Sequence, residues 1–183
     1  MVEQFTYAAA ALPSHLRWQI LDFLRMEWPE GFAGDNRLRE WISPAHEHPM
    51  HIVLVDGDLL VSHTEVKRKD LEHDGVIYKA YGLSGVLTYP QFRREGYGLQ
   101  VVEAGKRHIE RTDADIAIFN SRLRGFYERA GFIPMESLHM TYGDPAHPTV
   151  SDETTFMLFL TEKGRAGRRS FETRPVYFGA DTW

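Results

Sequence analysis

Cysteine is absent from the 183 residues of this sequence. Its absence excludes disulfide bonds, thiolate metal sites and a cysteine nucleophile that carries an acyl group. Long apolar runs are also missing. The run from Ala8 to Leu12 is far too short to span a bilayer, and no basic segment precedes it as in a secretory signal. The sequence therefore predicts a cytoplasmic protein with no membrane partner.

An excess of positive charge is lacking as well. Lys plus Arg number 21 and Asp plus Glu 26, which gives a formal net charge of −5. Such a chain is a poor general ligand for phosphate backbones and a fair one for cationic substrates, so we expect no nucleic-acid partner. The chain does have the material for a core, because 43% of its residues are hydrophobic and 13% aromatic. At this length the sequence predicts a single domain over residues 1–183.

The order of apolar patterns predicts a mixed α/β fold. A first strand over residues 4–9 is followed by a helix after Pro13, and a short helix capped by Asp35 or Asn36 continues through Trp41. The remaining patterns predict strands at 52–55, 59–66 and 76–88, a helix at 96–111, a strand at 115–119, a helix at 121–130, strands from 132 and at 154–160, and a solvated loop at 163–169. This series implies a sheet covered by helices on both faces.

The segment 85–98 ends a strand and opens a helix. Pro90 stops strand pairing, and Gly96 and Gly98 allow the backbone to approach a ligand closely. The unpaired N–H groups of the new helix, beside two adjacent arginines, form a site suited to a pyrophosphate. The segment lacks the G-K-[ST] of a nucleotide P-loop and the G-x-G-x-x-G fingerprint. Its alternative interpretation is an ordinary turn and helix cap.

A second segment has Asn120 at the end of a buried strand and Tyr127 seven residues later. Together the two segments resemble the GNAT acetyltransferases, in which a strand is followed by Pro-x-x-(Arg/Gln)-x-x-Gly-x-(Gly/Ala) and later by an asparagine seven residues before a tyrosine. The matching positions are Pro90, Arg93, Gly96, Gly98, Asn120, Tyr127, Gly131 and Phe132. The resemblance covers roughly residues 50–160. It implies a GNAT-type mixed, mostly antiparallel central sheet flanked by helices on both faces, with acetyl-CoA as the donor.

The resemblance also implies roles for individual residues. Tyr127 is expected to be the general acid that protonates the departing CoA thiolate, and its alternative is a helix residue packed on Leu123. The cofactor is expected to bind Val86, Leu87, Thr88, Arg93, Arg94, Glu95, Gly96, Tyr97, Gly98 and Asn120.

Shorter stretches are similar to the aminoglycoside 2′-N-acetyltransferases within that family. They comprise F-A-G-D at residues 32–35, His63, the tract from Leu60 to Gly85, and the chain end at 179–183. In those enzymes acidic side chains and the carboxylate of a C-terminal Trp hold a polycationic substrate. The likeness therefore implies substrate contacts at Asp35, Asp152, Asp181 and Trp183. Alternatively, Asp35 is a helix cap and Asp152 a solvated loop residue.

One position departs from those enzymes. They carry a glutamate on the strand before the cofactor loop, which acts as general base through water, and here that position is Ser84. A serine cannot hold a proton at neutral pH, although it can position a water molecule. Ser84 therefore stays a candidate catalytic residue. His63 and Glu65 on the preceding strand are candidate replacements for the base, and the sequence does not show which side they face.

The sequence thus predicts an acetyl-CoA-dependent N-acetyltransferase that transfers the acetyl group directly to a primary amine of a small molecule. The shorter matches indicate an aminoglycoside-like cation. Two alternatives remain open: a CoA-binding sensor or partner-binding module without efficient catalysis, and an acyltransferase acting on peptides or polyamines. His46, His48 and His51 are expected to lie in a polar loop, with no metal site. A homodimer is left open.

Overall fold

A computed structural model describes residues 1–180 of the chain. The strands are β1 (Val2–Ala8), β2 (Met50–Asp56), β3 (Leu59–His73), β4 (Val76–Thr88), β5 (Ile116–Ser121), β6 (Ile133–Pro134), β7 (Met140–Tyr142), β8 (Thr149–Val150), β9 (Thr154–Phe159) and β10 (Val176–Tyr177). The α-helices are α1 (Ser14–Glu27), α2 (Tyr97–Ile109), α3 (Arg124–Arg129) and α4 (Glu162–Thr173). Two compact units are present, one comprising residues 1–67 and 84–105 and the other residues 68–83 and the chain from 106 onward.

The first unit contains β1, β2, α1 and parts of β3, β4 and α2. β1 is antiparallel to β2, and β2 is antiparallel to β3 with a bulge between Leu54 and Val55. Gly57 turns the β2–β3 hairpin with a φ of +61°, which only glycine adopts readily. Because α1 carries apolar residues at helical spacing, its inner face packs into a core formed by Leu12, Leu16, Ile20, Leu21, Phe23, Leu24, Phe32, Ile42, Val53, Val55, Leu60 and Leu87.

The second unit has its own sheets and core. β4 pairs in parallel with β5, β5 pairs antiparallel with β9, and β9 pairs antiparallel with β6. A three-stranded sheet has the order β10-β7-β8. The core comprises Leu71, Tyr78, Ala80, Ile116, Ile118, Met135, Leu138, Met140, Met157, Phe171, Val176 and Phe178.

These elements confirm the predicted fold class, an α/β chain with mostly antiparallel strands. The predicted strand 76–88 coincides with β4, and the predicted helix 96–111 corresponds to α2. The expectation that residues 1–183 form one domain stays a prediction. Within the described part of the chain, no helix is both long and apolar enough to cross a bilayer.

Two local predictions are wrong. The expected loop at 163–169 lies inside α4. The Thr161 hydroxyl caps this helix by accepting a hydrogen bond from the Gly164 amide at 3.1 Å, and Phe171 is buried on its inner face. The expected short helix through Trp41 is a 3₁₀ helix that ends at Leu38, and no side chain caps it.

Candidate active site

The loop between β4 and α2 lies in the first unit and has the geometry of an anion site. Gly96 has a φ of +90°, and a Cβ built on it would meet no atom within 4 Å, so its backbone borders open space. The Gln100 amide donates to the Gly96 carbonyl at 3.0 Å and closes the first turn of α2. The three amides before it therefore have no acceptor within the helix. Tyr97 and Gly98 supply two of them, and the predicted loop backbone is thus able to bind phosphate.

The charged side chains of this loop have different surroundings. Arg93 donates to the Thr88 carbonyl at 3.0 Å and pairs with Glu27 at 3.3 Å, so its guanidinium holds the loop against α1. Arg94 is exposed and has a φ of +70°, and Glu95 is exposed. Arg94 is therefore the arginine of this loop that is better placed to meet an anionic ligand.

The end of β4 before the loop is fixed by β3. The Ser62 hydroxyl donates to the Leu87 carbonyl at 2.7 Å and lies 2.9 Å from the Thr88 hydroxyl. Val86 and Thr88 are partly exposed, whereas Leu87 is buried. The end of β4, which is expected to bind the cofactor, is thus held by hydrogen bonds from β3 and is still partly exposed.

A pair of buried histidines connects β2, β3 and β4. His63 Nδ1 lies 2.8 Å from the Gly85 carbonyl oxygen, and His63 Nε2 lies 3.1 Å from His51 Nδ1. Because a carbonyl only accepts, His63 carries its proton on Nδ1, and His51 donates to His63 Nε2. Burial lowers the pKa of His51 to about 4. Burial and the neighbouring His51 lower the pKa of His63 to about 3, so both rings are neutral at pH 7.

Glu65 lies on the same strand as His63, and its carboxyl group is 2% exposed. Its Oε1 accepts a hydrogen bond from the Ser43 hydroxyl at 2.6 Å, and its Oε2 lies 3.9 Å from His51 Nδ1. No described donor meets hydrogen-bond geometry at Oε2. Burial raises the pKa of Glu65, against the opposing influences of Lys67, Ser43 and the Ser84 hydroxyl. The structure thus places a carboxyl group of raised pKa beside Ser84.

Tyr127 lies in α3 of the second unit and is 5% exposed. Its ring packs edge-on against Phe119 at 4.8 Å between centroids and lies 5.3 Å from Phe156. Leu123, the expected packing partner, is itself largely exposed. Burial raises the pKa of the Tyr127 phenol to about 12, so it keeps its proton at neutral pH.

Two further predicted site residues of the second unit, Asn120 and Asp152, form polar contacts with neighbouring side chains. Asn120 donates to the Ser151 hydroxyl at 2.8 Å. Asp152 is exposed and pairs with Arg122 at 3.3 Å, and Glu153 pairs with the same arginine. Arg122 therefore balances only one of these two carboxylate charges.

The remaining candidates are Asp35, two residues at the chain end and the predicted loop histidines. Asp35 is exposed in the 3₁₀ helix of the first unit. Asp181 and Trp183 lie outside the described residues. The polar-loop prediction holds for His46 and His48 but is wrong for His51, which lies buried in β2. Across residues 1–180, no cluster of three His, Cys, Asp or Glu side chains could hold a metal ion.

The sequence interpretation missed Ser43 and the position of His51. Ser43 precedes Pro44 in a segment without regular periodicity, and nothing in the sequence indicates that its hydroxyl reaches Glu65. The apolar alternation of β2 could have placed His51 in a strand, because it directly precedes the run that begins at Ile52.

Comparison with known proteins gives a family. The family model of the acetyltransferase (GNAT) domain matches residues 19–135. No curated protein matches the chain. Similar solved structures include an acyl-CoA N-acyltransferase from Pseudomonas aeruginosa, with 15% identity, a TM-score of 0.58, and coverage of 86% of this chain and 99% of that one. ElaA from Escherichia coli has 16% identity and a TM-score of 0.57 and covers 85% of this chain and 98% of its own.

A third similar structure was solved with its ligand. The GNAT family N-acetyltransferase YhbS from Escherichia coli, in complex with CoA, has 12% identity and a TM-score of 0.58, over 97% of this chain and 90% of that one. The narrower likeness to aminoglycoside 2′-N-acetyltransferases is not confirmed by these matches. The domain match and the shared fold identify an acyltransferase for which acetyl-CoA is the consistent donor. The chain belongs to the GNAT acetyltransferase family.

Proposed function

We propose that this protein transfers an acetyl group from acetyl-CoA directly to a primary amine and that Glu65 is the general base. The observation that carries the proposal is the buried carboxyl group of raised pKa beside Ser84, in the same unit as the β4–α2 loop. A carboxylate of raised pKa is a stronger proton acceptor than an ordinary one. The alternative of a CoA-binding sensor is based on the absence of a glutamate base at position 84. In our proposal Glu65 supplies the proton acceptor that Ser84 cannot provide.

The residues of the first unit fit acetyl-CoA. The open backbone at Gly96, the free amides of Tyr97 and Gly98 and the exposed Arg94 would hold the pyrophosphate. Backbone groups of Val86 and Leu87 would align the pantetheine, and the amide near Thr88 would polarise the thioester carbonyl. Bound acetyl-CoA supplies a thioester that is already reactive. Much of the rate then comes from positioning.

Proton movements complete the reaction. The amine nitrogen forms a bond to the acetyl carbon, and its proton passes through water held at Ser84 to Glu65. The bond between that carbon and sulfur breaks, and the sulfur receives a proton. Tyr127 remains the proposed donor because its phenol is protonated at pH 7. A pKa of about 12 makes it a weaker acid than an ordinary phenol, so we propose that transfer occurs as negative charge develops on sulfur.

A cationic acceptor of the aminoglycoside type is the alternative substrate class, which the panel of amines tests against amino acids. Among the described residues it is supported by the exposed carboxylate of Asp35. Asp152 is also exposed, and Arg122, which it shares with Glu153, balances only part of the local negative charge.

The test is acetyl-CoA consumption over aminoglycosides, polyamines, amino acids and peptides, with Glu65→Gln compared with the wild type. Loss of a positioned base costs about 10²–10⁴-fold, so kcat/KM should fall by at least 100-fold. The rise of kcat/KM with pH, which follows deprotonation of Glu65, should also disappear. Glu40→Gln is the matched control, because Glu40 is an exposed carboxylate of the same unit.

Two outcomes would contradict the proposal. Turnover in Glu65→Gln within about threefold of the wild type, with chemistry rate-limiting, would exclude Glu65 as the base. CoA binding measured by calorimetry, with no turnover on any amine, would favour the CoA-binding sensor, which the serine at position 84 supports.

A further inference from the structure

Arg39 lies in the first unit and has an unusual environment for an arginine. Its guanidinium carbon lies 4.1 Å from the centroid of the Phe32 ring and 4.7 Å from that of Trp41. The side chain is partly buried, and its Nε is fully enclosed without a hydrogen-bond partner. Within residues 1–180, none of its guanidinium nitrogens forms a hydrogen bond or an ion pair. Two aromatic rings therefore hold the cation in place while its Nη groups stay unused.

A second guanidinium increases the local positive charge. Arg25 approaches the same Phe32 ring, at 5.0 Å from its centroid, and donates to the backbone carbonyl of Arg37 at 3.1 Å. Desolvation lowers the pKa of Arg39, and the charge of Arg25 lowers it further, whereas Glu65 acts in the opposite direction. Two like charges near one ring, without a carboxylate in ion-pair contact, cost free energy in the free protein. An anion from outside would remove that cost.

We infer that Arg39 binds the carboxylate of the acceptor and that the acceptor is a free amino acid. This inference rests on the proposed function. A planar carboxylate matches the fork of an arginine with two parallel hydrogen bonds. Arg39 and Ser43 lie in one short segment, and the Ser43 hydroxyl donates to Glu65 at 2.6 Å, so an amino acid can direct its amine toward Glu65 and its carboxylate toward the Arg39 guanidinium. The exposed face of Trp41 is available to the carbon skeleton of the ligand.

The competing anion is a phosphate of CoA. The β4–α2 loop already supplies its own donors for that group, namely the amides of Tyr97 and Gly98 and the exposed Arg94. Arg39 instead lies in the segment whose Ser43 donates a hydrogen bond to the proposed base. The acceptor is therefore the ligand that needs the guanidinium.

The experiment compares each accepted amino acid with its decarboxylated amine, for example phenylalanine with phenethylamine and lysine with cadaverine. Binding is measured by calorimetry on the full chain with CoA present, and turnover by acetyl-CoA consumption. We expect the wild type to favour the amino acid of each pair by about tenfold to a hundredfold, the range of a charge-assisted hydrogen bond. Arg39→Gln should remove that preference through KM, and Arg39→Lys should restore part of it.

Controls separate this role from folding and from cofactor binding. Arg37→Gln, an exposed arginine of the same segment, should keep the preference. The affinity for CoA should be unchanged in Arg39→Gln. If that variant does not fold, the paired ligands on the wild type and Arg39→Lys still decide the question.

Several results would overturn the inference. Equal kcat/KM values for amino acids and their decarboxylated amines would do so, as would preferential acetylation of polycations. Absence of amino acid binding, or loss of CoA affinity in Arg39→Gln, would also overturn it. A different result would contradict the proposed function. Binding of amino acids that depends on Arg39, with no acetylation of any amine, would contradict the transfer reaction and leave the carboxylate site in place.

Discussion

The buried pair His51 and His63 should make the protein lose stability in mild acid. Each imidazole has an ordinary pKa of 6.5, and in the folded chain these values fall to about 4 and about 3 because of burial. The unfolded chain therefore binds protons between pH 6.5 and 5 that the folded chain does not. The stability that the neutral rings provide is complete above pH 6.5 and is lost as pH falls toward the folded pKa values.

The size of the stability loss follows from the difference between the unfolded and folded pKa values of the two histidines. Over pH 6.5 to 5 the unfolded state gains about 1.6 kcal/mol from protonation of each histidine, or about 3 kcal/mol for the pair. Urea unfolding at half-unit pH steps, followed by tryptophan fluorescence, measures this change. His63→Gln should reduce the loss over this range by about 1.6 kcal/mol, because one of the two groups is gone. His46→Gln, which replaces an exposed histidine, should leave it unchanged.

Burial also lowers the pKa of His73 and of His108, so both add to the loss of stability in acid, but their contribution is present in the wild type and in His63→Gln and cancels in the difference. The pKa of Asp113 is lowered to about 2 by Lys79 and Tyr81, and its ordinary value already lies below the window. Glu65 has the opposite sign: its raised pKa means that protonation favours the folded chain as pH falls. That contribution is present in both proteins and largely cancels. Equal slopes of stability against pH in the wild type and His63→Gln would refute the assignment of neutral, buried rings.

Two predictions concern the proposed reaction directly. Tyr127→Phe removes the phenol and keeps the ring against Phe119, so turnover should fall at least about 100-fold while CoA affinity changes less than about tenfold. Retained turnover, with chemistry rate-limiting, would make Tyr127 a packing residue. Arg94→Asn keeps a residue that tolerates positive φ and removes one charge, so calorimetry should show CoA affinity lower by about tenfold or more. Unchanged affinity would place the pyrophosphate away from this loop.

Most helices and strands could be predicted because residues close together in the sequence specify them. The turn at Gly57 and the long apolar pattern of β4 specify their elements through neighbouring residues. Helix α4 was missed because its glycines and basic residues resemble a loop. The Gly164 backbone fits closely against Asp115, where a Cβ would lie 2.2 Å from the carbonyl oxygen, and only the packed structure shows this reason for glycine.

The face of β3 could not be predicted for a different reason. Alternation along a strand places His63 and Glu65 on one side, but it identifies the buried side only when the other side is polar and exposed. In β3 every residue from Leu60 to Lys67 is buried, so the alternation carries no such signal. The proximity of Glu65 to Ser84 depends on strand pairing, and that to Ser43 on a distant loop.

The burial of His51, His63 and Glu65 determines both their pKa values and the loss of stability in acid. It lowers the pKa of His51 and His63, so neither ring becomes a cation beside Glu65 at neutral pH. A histidinium 3.9 Å from the Oε2 atom would stabilise the carboxylate, lower the pKa of Glu65 and weaken it as a base. The neutral pair therefore preserves the raised pKa of Glu65, on which its proposed role as general base depends. The stability lost in mild acid is the thermodynamic consequence of keeping those rings uncharged.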